Sequence, residues 1–145
     1  MAAAPFVHRR RIQWADTDAA NIVYTGRFPN FALDAIDAWF VARLDTDWYR
    51  LHNDHGGGTP FVHMSMDFRS PLTPRDELST SVLLTEVGRS TLHFRIIGRT
   101  GDRRVAFEGR FVCAFVDRAP SRSTAIPERF VPGIARERAL ADLIG

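Results

Sequence analysis

Between Arg27 and Leu44 the apolar side chains Phe28, Phe31, Ala32, Ala35, Ile36, Trp39, Phe40 and Leu44 recur at three- and four-residue intervals. That spacing lays side chains along one face of an α-helix and predicts the one long helix of the chain. Leu33, Ala38, Val41 and Ala42 widen the face, leaving Asp34, Asp37 and Arg43 as polar exceptions. A helix that is apolar over most of its circumference has to be covered by the rest of the protein. Full burial of one large side chain contributes about 1.5 to 3 kcal/mol, so this segment is expected to anchor the core.

The flanking sequence has the character of strands. Phe6 to Trp14 is β-compatible and carries Arg9, Arg10 and Arg11, while Ala15-Asp-Thr-Asp-Ala-Ala-Asn21 has a turn composition. Beyond the helix, a second short helix is predicted around Trp48 to Asn53. The stretch His52-Asn-Asp-His-Gly-Gly-Gly58 is expected to hold no regular structure and to form a mobile loop. Four strands follow, over Thr59 to Arg69, Glu77 to Val87, Thr91 to Arg99 and Arg103 to Asp117. In the last of these Val105, Phe107, Phe111, Cys113 and Phe115 share one parity, interrupted only by Gly109. The tail from about residue 127, with Pro127, Pro132 and a helix over Gly133 to Ile144, is expected to be peripheral. A strand, a long apolar helix and four antiparallel strands describe an α+β domain in which a curved sheet of about five strands embraces one helix.

Composition narrows the function classes. A chain of 145 residues, 45% hydrophobic and 25% charged, is of single-domain size (1–145) and has the profile of a globular protein. No apolar run approaches the roughly 20 residues a membrane-spanning helix needs. The N-terminal segment places Arg9 to Arg11 after its apolar residues, the reverse of a secretory signal, so a cytoplasmic location is expected. Cys113 is the only cysteine and sits in Phe-Val-Cys-Ala-Phe, which reads as buried strand packing rather than a nucleophile. The net charge is +2 and the basic residues are all arginine. Nothing resembles a nucleic-acid-binding signature, and no such partner is expected. His8, His52, His55, His63 and His93 are scattered without partners at ligand spacing, so no metal is expected.

The segment Trp14-Ala-Asp-Thr-Asp-Ala-Ala-Asn-Ile-Val-Tyr24, running into Phe28-Pro-Asn-Phe31, resembles the active-site signature of 4-hydroxybenzoyl-CoA thioesterase-like proteins. The resemblance is sharp over residues 11 to 33, and the order of elements extends it to about residue 117. It implies the hotdog fold and hydrolysis of an acyl-CoA, with coenzyme A part of substrate and product and no further cofactor. It also implies a homodimer or homotetramer in which a second chain completes the site.

Carried across residue by residue, the resemblance makes Asp18 the carboxylate that attacks the thioester or activates water, and Asp16 structural. Asn21 stands where a glycine is usual in that family, and Asn is the residue best able to replace Gly in a left-handed conformation. The backbone N–H of Thr25 corresponds to the donor that polarises the thioester carbonyl, and Tyr24 and Thr59 to substrate contacts, Thr59 from across the dimer interface. His63 could face the site or simply occupy a strand surface. Gly88-Arg-Ser-Thr91 resembles the turn that meets the coenzyme A phosphates, giving Arg89, Ser90 and Thr91 as phosphate contacts.

The chemistry is coherent on its own terms. Thioester hydrolysis develops negative charge on the carbonyl oxygen, where unsatisfied N–H groups and the positive end of a helix dipole are stabilising. A thiolate leaves readily, so a carboxylate held in line can form an anhydride or deprotonate water. The acyl group stays open between an aromatic, hydroxybenzoyl-type group and a short aliphatic one on coenzyme A or acyl-carrier protein. Asp34 or Asp37 could recognise a ring hydroxyl, although the family's helical aspartate aligns with Leu33. A non-catalytic acyl-CoA-binding module is the reading that the presence of Asp18 argues against.

Overall fold

The computed structural model describes residues 4–117 and 122–144. The expected helix is α1, Phe28–Leu44. It lies across a five-stranded antiparallel sheet built from β1 (Phe6–Arg11), β3 (Phe61–Phe68), β4 (Glu77–Val87), β5 (Thr91–Arg99) and β6 (Val105–Ala114), in the order β1-β4-β5-β6-β3. This is the α+β arrangement that the apolar patterning predicts and the hotdog fold that the resemblance implies.

Period-two alternation sorts the strands into an inner and an outer face. Leu78, Thr80, Val82 and Leu84 of β4, Leu92, Phe94 and Ile96 of β5, and Phe107, Phe111 and Cys113 of β6 are all buried on the inner face. Against them α1 buries Phe28, Phe31, Ala32, Ala35, Ile36, Trp39, Phe40 and Leu44. Ring contacts give the helix its direction. Phe28 meets Phe68 and Phe107 at 5.3 and 5.5 Å, whereas Trp39 meets Phe94 edge-on at 5.0 Å. Beyond Phe40, Trp48 bridges to Phe61 at the opposite end of β3. So α1 runs from the C-terminal end of β3 towards its N-terminal end.

Three local expectations are corrected. The first strand stops at Arg11 because the chain turns at Gln13, whose N–H is held by the Asp16 carboxylate, and Trp14–Asp16 forms a 3-10 turn. The stretch expected to lack regular structure is ordered by its neighbours. Helix α2 continues over Trp48–His55, and Gly56 ends it in the left-handed region at φ 72. Gly57–Gly58, β2, then pairs with Val116–Asp117, β7. A Cβ at Gly57 would lie 2.9 Å from the Val116 carbonyl oxygen, so the absence of a side chain is what admits this strand.

The tail is not peripheral. Helix α3, Val131–Ile144, packs on β4 and α1 and buries Ile134 and Ala141. The indole of Trp39 is fully buried and needs an acceptor for its N–H, and Glu137 of α3 supplies one at 3.2 Å. The same carboxylate lies 3.2 Å from Arg43. Among the described residues no helix is long and apolar enough to cross a membrane.

Gly98 of β5 lies opposite Phe107, and a Cβ there would approach the Phe107 ring to 2.4 Å. Phe107 is itself fully buried against Phe28 and cannot move aside. Gly98→Ala is therefore expected to lower stability in urea unfolding by about 1 to 3 kcal/mol, the usual cost of overpacking. At Gly101, where an added Cβ meets nothing within 4 Å, the same substitution is expected to change stability by less than about 0.5 kcal/mol.

Candidate active site

The loop between β1 and α1 is organised around one buried carboxylate. Asp16 Oδ2 accepts from Arg10 Nη2 and from the Gln13 N–H, each at 2.9 Å, and its side chain is only 7% exposed. Arg10 also lies over the Phe31 ring of α1, 4.3 Å from its centroid. Arg27 approaches Asp16 Oδ1 at 3.8 Å and donates to the Ala15 carbonyl at 3.2 Å. Strand β1, the loop and the start of α1 are thus tied at one point, and Asp16 has the structural role expected of it.

From that anchor the chain makes a closed turn. Thr17 and Val23 form a β-bridge, the Asp18 N–H donates to the Ile22 carbonyl, and the Asn21 N–H donates to the Asp18 carbonyl. Asn21 takes φ 63, the left-handed conformation expected of an asparagine in a glycine's place. Asp18 stands exposed at the head of the turn. Its Oδ1 accepts the Ala20 N–H at 2.9 Å, and its Oδ2 bonds to no described residue.

Thr25–Arg27 form a 3-10 turn that runs directly into α1. The Thr25 N–H opens this turn, where no intrahelical acceptor exists, and it donates to no described residue. The positive end of the dipole of a 17-residue helix lies just behind it. The Tyr24 ring lies against Gly26, where a Cβ would come within 2.5 Å of it. Gly26 is a shaping residue that the sequence reading missed; a glycine between Tyr24 and the helix was its only signal. Tyr24 and Trp14 remain 58% and 83% exposed beside this turn.

The other expected site residues lie elsewhere in the chain. Thr59 is buried just before β3, and its Oγ1 has no partner among the described residues. It borders a cavity of about 420 Å³ shared with Leu33, Trp48, His52 and Phe61. Leu33, not a carboxylate, lines this space, and Asp37 accepts the Trp48 N–H at 3.2 Å, where it caps α2. His63 is exposed on the outer face of β3, 3.3 Å from Ser65 Oγ. In the β4–β5 turn Gly88 donates to Thr91, while the Arg89 and Ser90 carbonyls accept from Ile126 and Phe115. The Arg89 side chain is exposed. The Thr91 hydroxyl lies 3.2 Å from His93 Nε2. Burial pushes the Cys113 thiol up to about 12, consistent with packing and not with nucleophilic chemistry.

Strand register shows how these groups are distributed. Phe61, Cys113 and Leu92 are neighbours at one end of the sheet, with Thr59 and Arg89 to Thr91 beside them. Phe68, Phe107 and Gly98 are neighbours at the other end. The Asp18 turn and Thr25 belong to this second end, through the Phe28–Phe68 contact and the Val23 N–H donated to Leu72. At about 3.3 Å per residue, the length of β3 separates the two groups by about 20 Å. Within one chain, Asp18 and Thr25 lie at the same end of the sheet, and Thr59 and Arg89 lie at the other.

A sheet wrapped on one helix places the open Asp18 Oδ2 and the helix-start Thr25 N–H, which has no described acceptor, at the same end of the fold. Residues 12–134 match the Thioesterase-like superfamily, and the chain belongs to it. A thioesterase superfamily protein from Jannaschia sp. CCS1 is 39% identical, with a TM-score of 0.86 over 92% of this chain and 93% of that one. A 1,4-dihydroxy-2-naphthoyl-CoA hydrolase from Synechocystis sp. is 31% identical over 84 residues, 56% of this chain and 58% of the hydrolase. The chain thus matches little more than half the length of that relative. The structure of a 1,4-dihydroxy-2-naphthoyl-CoA thioesterase from Synechocystis superposes with a TM-score of 0.84 at 18% identity, covering 91% of this chain and 96% of that one, a likeness of fold.

Asp16→Ala would leave Arg10 and the Gln13 N–H without their shared acceptor. Its expected cost is about 1 to 3 kcal/mol in urea denaturation, the range for charged hydrogen bonds in a partly buried setting.

Proposed function

We propose that this protein hydrolyses an acyl-CoA thioester, with Asp18 as the reacting carboxylate and the Thr25 N–H as the oxyanion donor. The observation that carries the reading is the unpartnered Asp18 Oδ2 on a braced turn, at the same end of the sheet as a helix-start N–H that has no acceptor. As nucleophile, Asp18 adds to the thioester carbonyl and coenzyme A leaves as thiolate, which takes up a proton. Water then opens the resulting mixed anhydride to the free acid and regenerates the carboxylate. As general base, Asp18 instead takes the proton of the attacking water and passes it to the leaving sulfur. In either route the carbonyl oxygen gathers charge in the transition state, and the Thr25 N–H backed by the α1 dipole is suited to stabilise it.

The separation of Thr59 from Asp18 finds its explanation in a second copy of the chain. β3 is an edge strand, and Val62, Met64 and Phe68 are 63%, 50% and 50% exposed along it. Such an edge calls for cover. Antiparallel pairing of β3 with its counterpart about a two-fold axis would bring the Thr59 end of one chain to the Asp18 end of the other, making two sites per dimer. Arg89, Ser90 and Thr91, which also lie at the Thr59 end, are assigned to the coenzyme A phosphates on the resemblance of their turn. An aromatic acyl group is favoured by the exposed Trp14 and Tyr24 beside Asp18 and by the naphthoyl-CoA relatives. A hydroxybenzoyl group has less support, since Leu33 stands at the position of the recognising aspartate. A short aliphatic acyl-CoA is the second reading, and thiol release across aryl- and alkyl-CoA substrates separates the two.

Asparagine is nearly isosteric with aspartate but can neither attack the carbonyl nor take a proton. Asp18→Asn is expected to keep the melting temperature and to lower kcat at least about a hundredfold in single-turnover hydrolysis. A variant that melts like wild type and turns over within a few fold of it would remove Asp18 from the mechanism.

Charging the edge strand tests the shared site. Val62→Asp with Met64→Asp is expected to give a monomer by sedimentation and to lose at least about tenfold in activity although Asp18 is untouched. An active monomer would overturn the two-chain site.

A further inference from the structure

The outer face of the sheet, opposite α1, carries a row of residues that the reaction described above does not use. Register aligns Ser65 of β3, Arg110 of β6, Arg95 of β5 and Leu83 of β4 across the strands. Arg95 and Arg110 are therefore directly opposite one another, an arrangement of like charges that weakens strand pairing. In the adjacent row Asp67 lies opposite Glu108, but both carboxylates are engaged by Arg69, at 3.6 and 2.6 Å. Neither Arg95 nor Arg110 makes a hydrogen bond or ion pair with any described residue, and both are exposed. These groups line a groove of about 470 Å³, with the hydroxyls of Ser65 and Thr85 at its sides. That volume is in the range of small-molecule sites.

We propose that this groove binds a small free anion of the phosphate or pyrophosphate type, held between the Arg95 and Arg110 guanidiniums. Each guanidinium offers a planar fork of N–H donors that matches phosphate oxygens, and one multiply charged anion between them turns the repulsive pair into two charge-assisted contacts. The nearby carboxylates do not cancel the field. Asp67 and Glu108 also line the groove, but Arg69 at its rim engages both, which leaves Arg95 and Arg110 as the groove's arginines without an ion pair among the described residues. The hydrogen bond from Arg69 first, then the charges of Arg69, Arg95 and Arg99, hold the Glu108 carboxyl below its usual range against the opposing effect of burial. The groove lies on the face of the sheet away from α1, whereas the Asp18 turn is tied to α1 through Arg10 and Phe31. The anion site is thus separate from the proposed hydrolytic one and does not depend on it.

Calorimetric titration of the full chain with inorganic pyrophosphate at low ionic strength tests this. Wild type is expected to bind with a Kd below about 1 mM, and Arg95→Gln with Arg110→Gln to weaken it at least about tenfold. Arg99→Gln, which removes a charge of the same face but not of the pair, is expected to stay within about twofold. The double variant should melt at or above the wild-type midpoint in phosphate-free buffer, because a like-charge contact has gone, which separates lost binding from lost fold. Saturating coenzyme A should leave the pyrophosphate affinity of wild type unchanged. Three results overturn the proposal: no binding by wild type up to about 5 mM, equal affinity in the double variant, or displacement by coenzyme A, which would assign the arginines to the substrate's own phosphates.

Discussion

A 17-residue helix with three phenylalanines and a tryptophan among its buried positions cannot present that surface to water. Its cover is the constraint on which the remaining elements depend. The inner face of the sheet takes one side, α2 closes the end near Phe40, and α3 closes the side where the Trp39 N–H needs an acceptor. Small residues set how closely these layers meet. Phe107 fits between Phe28 and the sheet because Gly98 has no side chain to oppose it.

The same burial shapes the candidate site. Fixing α1 in the core aims its N-terminus at the end of the sheet where β1 leaves, and Arg10 binds the two together by stacking on Phe31 and pairing with Asp16. Asp16 in turn closes the loop that holds Asp18 at the surface. Two carboxylates two residues apart acquire opposite environments: Asp16 is buried and hydrogen-bonded, Asp18 is exposed and has one oxygen open. The outer face of the sheet follows a different logic. Arg95 and Arg110 stand opposite one another and weaken the strand pairing they sit on, so their presence is not explained by folding.

Much of this was legible in the chain itself. The apolar repeat over Phe28 to Leu44 and the alternation in β4, β5 and β6 are consequences of local geometry, since 3.6- and 2-residue periods appear wherever one face is buried. The turn over Ala15 to Asn21 was legible for a similar reason, because the residue types that favour a turn are few, whereas the left-handed Asn21 was implied by the resemblance, in which a glycine is usual at that place. The stretch from His52 to Gly58 was misread because glycine signals conformational freedom, and only the neighbouring Val116 carbonyl reveals that here it serves a close strand approach. The tail was misread because its fit to Trp39 depends on a residue 98 positions away.

By itself, then, the sequence determined the elements and the curved sheet around one helix, which rest on short-range periodicity and turn chemistry, while the distinction between the two aspartates came from the resemblance of their motif. Only the tertiary structure decided that Asp18 and Thr59 lie at opposite ends of β3, that His63 faces outward, and that Arg95 stands against Arg110. These are facts of strand register and helix direction, and register is set by side chains distant in sequence that must share one buried face. No reading of residues along one chain contains that information until the strands are laid side by side.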